Sequence, residues 1–170
     1  QGLGSLDLFV AKYASDGTLL WLRSGGGVQA DEGRGIAMTA DGNIVVSGTF
    51  QGTAVFGNDT LVSAGMGDIL LLKYDTAGNL LWSALAGGTG DDAAGKVAAL
   101  SNGDVAFVAD HQGTVTIGSS TVNATGLGSV LLARYTGSGT PVWATGAGSA
   151  VGFARDRAFD IDVAGNDDLV

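Results

Sequence analysis

Cysteine is absent from this sequence, and proline and histidine occur once each. Without cysteine there is no disulfide and no thiolate metal site; the compartment stays open, because many secreted bacterial proteins lack cysteine too. Basic residues are also scarce: eight stand against 17 acidic ones, a formal net charge of −9. That balance argues against a nucleic-acid surface or an anionic membrane as partner. No unbroken apolar run approaches the roughly 18 residues of a membrane span. No window carries apolar residues at helical spacing for three turns, so essentially no helix is expected. The Gly-Gly-x-Gly stretches are therefore not followed by helices that could offer an N-terminus to phosphate, and no serine sits in a Gly-x-Ser-x-Gly setting.

What the chain has in excess is glycine, 30 of its 170 residues, with 45% hydrophobic residues. At that level, and without a three-residue period, glycine marks many tight turns. Residues 68–82, DILLLKYDTAGNLLW, show how the turns are used. Ile69 to Tyr74 is apolar on both alternating faces, which predicts a strand covered on both sides. Asp75 to Asn79 then supplies turn chemistry: Asp opens a type I turn, and Gly78 accepts the positive φ that re-enters the ladder as a bulge. Leu80-Leu81-Trp82 begins the return strand of a hairpin.

The unit recurs. Trp21, Trp82 and Trp143 stand 61 residues apart, as do Tyr13, Tyr74 and Tyr135, and Gly17, Gly78 and Gly139. Residues 7–67 and 68–128 align without a gap at 19 identities in 61 positions. A repeat of that length decides the fold class before any other signal. We divide the chain into the tail of a preceding repeat (1–6), repeat one (7–67), repeat two (68–128) and a truncated repeat three (129–170), which gains one residue between Trp143 and Gly165. The ragged ends lead us to expect an excerpt of, or a processed piece from, a longer array.

Within repeat one, strands are expected at Leu8–Tyr13, Leu19–Arg23, Gly35–Thr39 and Ile44–Phe50. A smaller hairpin, Thr53–Phe56 and Leu61–Ser63, follows. Repeat two has counterparts at Val97–Leu100, Val105–Ala109 and Val115–Ile117. Four antiparallel strands per copy, with short turns inside the copy and a longer link between copies, is the pattern of a β-propeller blade. The predicted fold class is all-β, about three consecutive four-stranded blades belonging to a larger ring or assembly. A β-solenoid is the competitor; its coils repeat at roughly 20 to 30 residues and need no self-contained hairpins.

The run from Asp68 through Lys73-Tyr74, Gly78-Asn79 and Leu81-Trp82 to Gly87-Gly88-Thr-Gly-Asp-Asp92 and Asn102-Gly103-Asp104-Val105 resembles the bacterial SBBP-type β-propeller repeat. Residues 7–50 match nearly as well, through Asp7, Lys12-Tyr13, Gly17, Leu20-Trp21, Gly26-Gly27, Asp31, Gly42-Asn43 and Gly48. Repeat three departs, with Ser129 for the leading Asp and Ala154 where the loop Asp would stand, Asp156 lying two places on. The resemblance implies a secreted or cell-surface bacterial protein with a repeat scaffold. It implies no particular activity, because the family is defined by structure.

Candidate chemistry is sparse. The three tryptophans could be sugar-stacking platforms, but their shared position in an apolar strand favours packing between blades. Lys12, Lys73 and Arg134 read as solvated strand ends with buried stems. Asp31 and Glu32, with Asp91 and Asp92, could hold calcium, yet no Asp-x-Asp-x-Asp-Gly loop is present. An Asp that accepts backbone N–H bonds to hold a loop shut is the favoured role. His111 aligns with Phe50 and reads as strand-end packing or a surface accident. Asn58-Asp59-Thr60 and Asn123-Ala124-Thr125 match the glycosylation sequon, which carries little weight in a bacterial protein. No catalytic, cofactor or metal residue is assigned.

Three functional readings follow. The first is a non-enzymatic, extracellular or cell-surface scaffold for protein or carbohydrate interaction, favoured because near-interchangeable copies suit shape better than catalysis. The second is a fragment of a propeller hydrolase or lyase whose catalytic residues lie in other blades. The third is self-assembly of the chain into a closed ring or a filament, since an unclosed stack would expose apolar blade faces. The expected partners are further blades of the same protein or copies of itself, with a protein or glycan ligand.

Overall fold

The computed structural model describes residues 4–149 and 155–170, and among them every regular element is a strand. In chain order these are β1 (Leu8–Tyr13), β2 (Leu19–Gly27), β3 (Glu32–Met38), β4 (Ile44–Phe50), β5 (Thr53–Phe56), β6 (Asp59–Val62) and β7 (Asp68–Tyr74). They continue with β8 (Leu80–Ala86), β9 (Ala93–Ala99), β10 (Val105–His111), β11 (Thr114–Ile117), β12 (Ser120–Asn123), β13 (Ser129–Tyr135) and β14 (Pro141–Ala147). The turns are those the sequence foretells. Asp75 accepts from the amides of Ala77 and Asn79 at 2.9 and 2.8 Å, Gly78 takes φ +81°, and the ladder slips between Lys73 and Tyr74.

The sheets, however, do not coincide with the repeat. One runs β3-β4-β7-β8 and another β9-β10-β13-β14, each antiparallel throughout. A blade therefore takes strands three and four of one copy and strands one and two of the next. The link between copies, which includes the small hairpin β5–β6 or β11–β12, is an excursion from the middle of a blade. A periodic pattern has no origin, so the strand period was readable and its phase was not. The hairpin β5–β6 joins β2 through Gly26 and Gly27, opposite Val55 and Ala54.

Blades pack face to face. On the central blade, Val45, Ile69 and Leu71 point one way, into a core with Val97, Phe107, Leu131 and Tyr135 of the next blade. Ile44, Val46, Leu70, Leu72 and Tyr74 point the other way, onto Leu8, Val10 and Trp21. Every residue of β7 is buried, as its two greasy faces require. The C-terminal residues cover the far side of the second blade: Ile161, Val163 and Leu169 join Ala98, Leu100, Ala106 and Val108.

Repeat three is longer than the one-residue insertion read from the sequence. The turn amides pair Thr39 with Asn43, Leu100 with Asp104 and Ala164 with Asp168, so the third turn lies 64 residues after the second and the insertion is three residues. Asp167 (φ 64°) thereby occupies the left-handed position that Gly42 and Gly103 hold in the other copies. Asp tolerates that region better than most residues.

Candidate functional site

The residues singled out in the sequence fall into two groups, and both join one repeat to its neighbour. Trp21 donates its Nε1–H to the carbonyl of Thr76 at 3.1 Å, and Lys12 donates to the same oxygen at 3.3 Å. One repeat later, Trp82 and Lys73 do the same to the carbonyl of Gly137, both at 3.0 Å. Each pair grips the hairpin turn of the following repeat. The fit depends on a missing side chain: a Cβ on Gly78 would stand 2.7 Å from the Trp21 ring, and on Gly139 2.8 Å from the Trp82 ring. Trp21 and Trp82 are thus packing between blades, as expected. Lys73 is not a solvated strand end. It is buried, and its ammonium is held by a carbonyl 64 residues away that no local pattern announces. Arg134 instead ion-pairs Asp104 at 2.8 Å.

The second group is a carboxylate latch. Asp31 is fully buried; its carboxylate accepts from the amides of Gly27 (2.6 Å) and Gln51 (3.3 Å), and its own amide donates to Leu6. Asp92 repeats this with Gly88 (2.7 Å), Gln112 (2.9 Å) and Gly67. One side chain thus ties the end of one blade, the start of the next and the loop after a central strand. Repeat three does carry the equivalent carboxylate, contrary to the alignment. Asp156 accepts from Ser149 and donates its amide to Gly128, the inserted residues having displaced it along the chain. Ala154 lies outside the described residues.

The leading position works in parallel. Asp68 accepts from Ala64 at 2.6 Å, and Ser129, its replacement, accepts from Thr125 at 2.8 Å. The carboxylates are seated so tightly that a Cβ on Gly26 would lie 2.3 Å from Asp7 and on Gly87 2.4 Å from Asp68, which explains the Gly-Gly pairs. Burial raises the pKa of Asp31, Asp68 and Asp92 above the ordinary carboxylate value. Amide hydrogen bonds oppose that rise, while the neighbouring charges of Asp7 on Asp31, Asp92 on Asp68 and Asp91 on Asp92 add to it.

Of the calcium candidates, Glu32 is ion-paired to Arg34 and Asp31 and Asp92 are committed to amides. No group of three or more His, Asp or Glu side chains able to share a metal occurs among the described residues.

His111 is fully buried at the end of β10, the place Phe50 holds at the end of β4. Strand-end packing is the correct half of its reading; it is not a surface residue. Both of its ring nitrogens lack a hydrogen-bond partner, as does Asp68 Oδ1. The register sets His111 opposite Ser129, and the charge of Asp92 acts on it. Those three residue types could form a nucleophilic triad, but the imidazole bonds to neither neighbour and the serine hydroxyl is engaged by Thr125. The arrangement holds chain segments together and exposes no reacting atom.

No family model matches the chain. Among curated proteins it is similar to an uncharacterized WD repeat-containing protein of Acanthamoeba polyphaga mimivirus, 30% identical over 112 residues. That alignment takes in 62% of this chain and 8% of the relative, so the chain spans less than a tenth of that protein's length. WD repeats are the four-stranded units of β-propellers. The relative's repeat type and the four-stranded antiparallel sheets agree: this is a chain of β-propeller-type repeats.

Proposed function

We propose that the chain is part of a non-enzymatic β-propeller scaffold, extracellular or on a bacterial cell surface, whose incomplete blades are completed by further copies of its own repeat. One observation carries this reading, with the repeat serving as its own control. Phe9 is 70% exposed while Leu70, its counterpart one repeat on, is 0% exposed; Tyr13 and Tyr74 stand at 60% and 4%, and Ile36 and Val97 at 61% and 5%. Leu70 and Tyr74 are covered by Leu8, Val10 and Trp21 of β1 and β2, and Val97 by the inner strands: β4 pairs along β7, and β3 and β4 lie against β9. In the first set β1 pairs only with β2 among the described residues, and Phe9, Tyr13, Ile36 and Met38 line adjoining grooves between β1 and β3.

Two strands equivalent to β3 and β4 fill that space. Residues 155–170 are such a segment, the inner half of a blade at the other end of the chain. Covering each large side chain contributes about 1.5–3 kcal/mol. A ring or array of repeats, within one polypeptide or between copies, satisfies both ends. The placement outside the cell rests on the likeness of the repeat to bacterial surface propeller repeats. The non-enzymatic reading rests on the commitment of Asp31, Asp92 and Asp156 to backbone amides. A ligand-facing role in protein or glycan binding belongs to the same proposal.

Sedimentation velocity across a concentration series tests it. The 170-residue chain should associate through this face, and Phe9→Lys combined with Ile36→Lys should abolish association. A wild-type chain that stays monomeric at every concentration would rule out completion between copies.

A further inference from the structure

We infer that the inner rim between the second blade and the C-terminal segment is a binding site for a small oxyanion, a phosphate or carboxylate group. Four of the chain's eight basic side chains, Arg34, Lys96, Arg155 and Arg157, line a single cleft of about 500 Å³ there, in a protein whose net charge is −9. Among the described residues only two carboxylates, Asp91 and Asp110, share the lining, so it carries +4 − 2 = +2 and the rest of the chain −9 − 2 = −11. A fold indifferent to this surface would not gather half of its few cations at one place.

The geometry leaves part of that charge uncompensated. Arg34 is ion-paired with Glu32, and Arg157 stands 3.8 Å from Asp110, whose other oxygen is held by the amide of Ala158. Lys96 is exposed and donates only to the carbonyl of Arg34 at 2.9 Å; neither Lys96 nor Arg155 forms an ion pair among the described residues. Arg34 and Lys96 both sit where the ladder slips, between Gly33 and Gly35 and opposite Phe107–Ala109, and a bulge turns side chains out of the strand's alternation. Arg155 and Arg157 fall 64 residues after Asp91 and Ala93, so the cationic character is particular to this junction and not a feature of the repeat. The floor is small, Ala93, Ala94 and Gly95, with exposed Phe159 as one wall.

Guanidinium forks suit planar and tetrahedral oxyanions, and a cleft of this size accommodates a small molecule. A long polyanion would run from the cleft onto the surrounding −11 surface, which selects a small ligand over a polymer. Arg34 and Lys96 also border the groove between β1 and β3 that added strands would fill, whereas Arg155, Arg157 and Phe159 do not.

The experiment is a titration of the 170-residue chain at low salt with inorganic phosphate and, separately, succinate, followed by amide chemical shifts. Saturable shifts at residues 93–96 and 155–159 are expected, weakening as salt rises because the cations are exposed. Lys96→Gln with Arg155→Gln should weaken binding by at least about tenfold with unchanged thermal unfolding, and Lys12→Gln should leave it unaltered. The relative response to phosphate and succinate assigns the headgroup. Absence of saturable shifts with either anion, equal binding by the double variant, or tighter binding of an oligonucleotide than of phosphate would each overturn the proposal.

Discussion

Replacing His111 with phenylalanine should stabilise the protein and remove its loss of stability under mild acid. The imidazole is completely buried and neither nitrogen has a partner. An unsatisfied buried polar group costs about 1–3 kcal/mol, whereas Phe50 fills the same place in the preceding repeat with no polar atom. There Phe50 meets Phe56 edge-on at 6.4 Å; the counterpart of Phe56 is the smaller Ile117, which leaves room for the larger ring. Against residual overpacking of about 1 kcal/mol, we expect a net gain of up to about 2 kcal/mol at neutral pH. For a chain of this length that is a rise of up to about 6 °C in Tm.

The pH dependence separates this from a simple packing gain. Burial holds the His111 pKa below its ordinary 6.5, against the opposing pull of Asp92 and Asp110. As pH falls below 6.5 the unfolded chain binds a proton that the folded chain refuses, so this group makes the wild type lose stability down to the folded pKa. The slope approaches about 1.4 kcal/mol per pH unit. Asp31, Asp68 and Asp92 act in the opposite sense. Their raised pKa values burden the folded state at neutral pH, and that burden lifts as pH falls through the folded pKa values towards 3.8. His111→Phe should therefore be flat or rising in stability as pH is lowered from about 6.5 to about 5, where the wild type declines. Chemical denaturation across that range decides it. A variant less stable than wild type at neutral pH, with the wild-type slope intact, would refute the reasoning.

Asp92→Ala should cost about 2–4 kcal/mol, because two part-buried amides lose the acceptor that a fully buried side chain gives them, and hydrogen exchange at Gly88 and Gln112 should accelerate first. Gly78→Ala should cost about 2–3 kcal/mol, since φ +81° and contact with the Trp21 ring are both violated, whereas Gly103→Ala, at φ +86° with open space around it, should cost about 1 kcal/mol; thermal melts of the two measure the difference. Trp82→Phe keeps most of the apolar contact but removes the bond to Gly137, and should lower stability by about 1 kcal/mol in urea titration.

The repeat, the turns and the two-sided burial of β7 were legible because each is written locally: a 61-residue step, Asp-x-x-Gly spacing, an apolar run. Blade phase was not, because pairing β4 with β7 rather than ending a sheet at Phe50 is a choice between equivalent periodic frames. Burial of Lys73 was hidden because its acceptor belongs to the following repeat. Asp156 was passed over since its place is set by the amides it binds and not by counting from Trp143. The cationic rim escaped for a similar reason: Arg34, Lys96 and Arg157 lie far apart in sequence and meet only where inner strands converge.

The half-repeat offset between sequence unit and sheet has a consequence for how such a chain grows. Each copy of the repeat lays two strands in one blade and two in the next, like bricks bonded across a joint. Excising or inserting a whole 61-residue unit at any point restores both broken sheets, so length can change by single blades without a favoured breakpoint. By the same bonding, no copy can peel away alone, because pulling one free dismantles the sheets on either side of it.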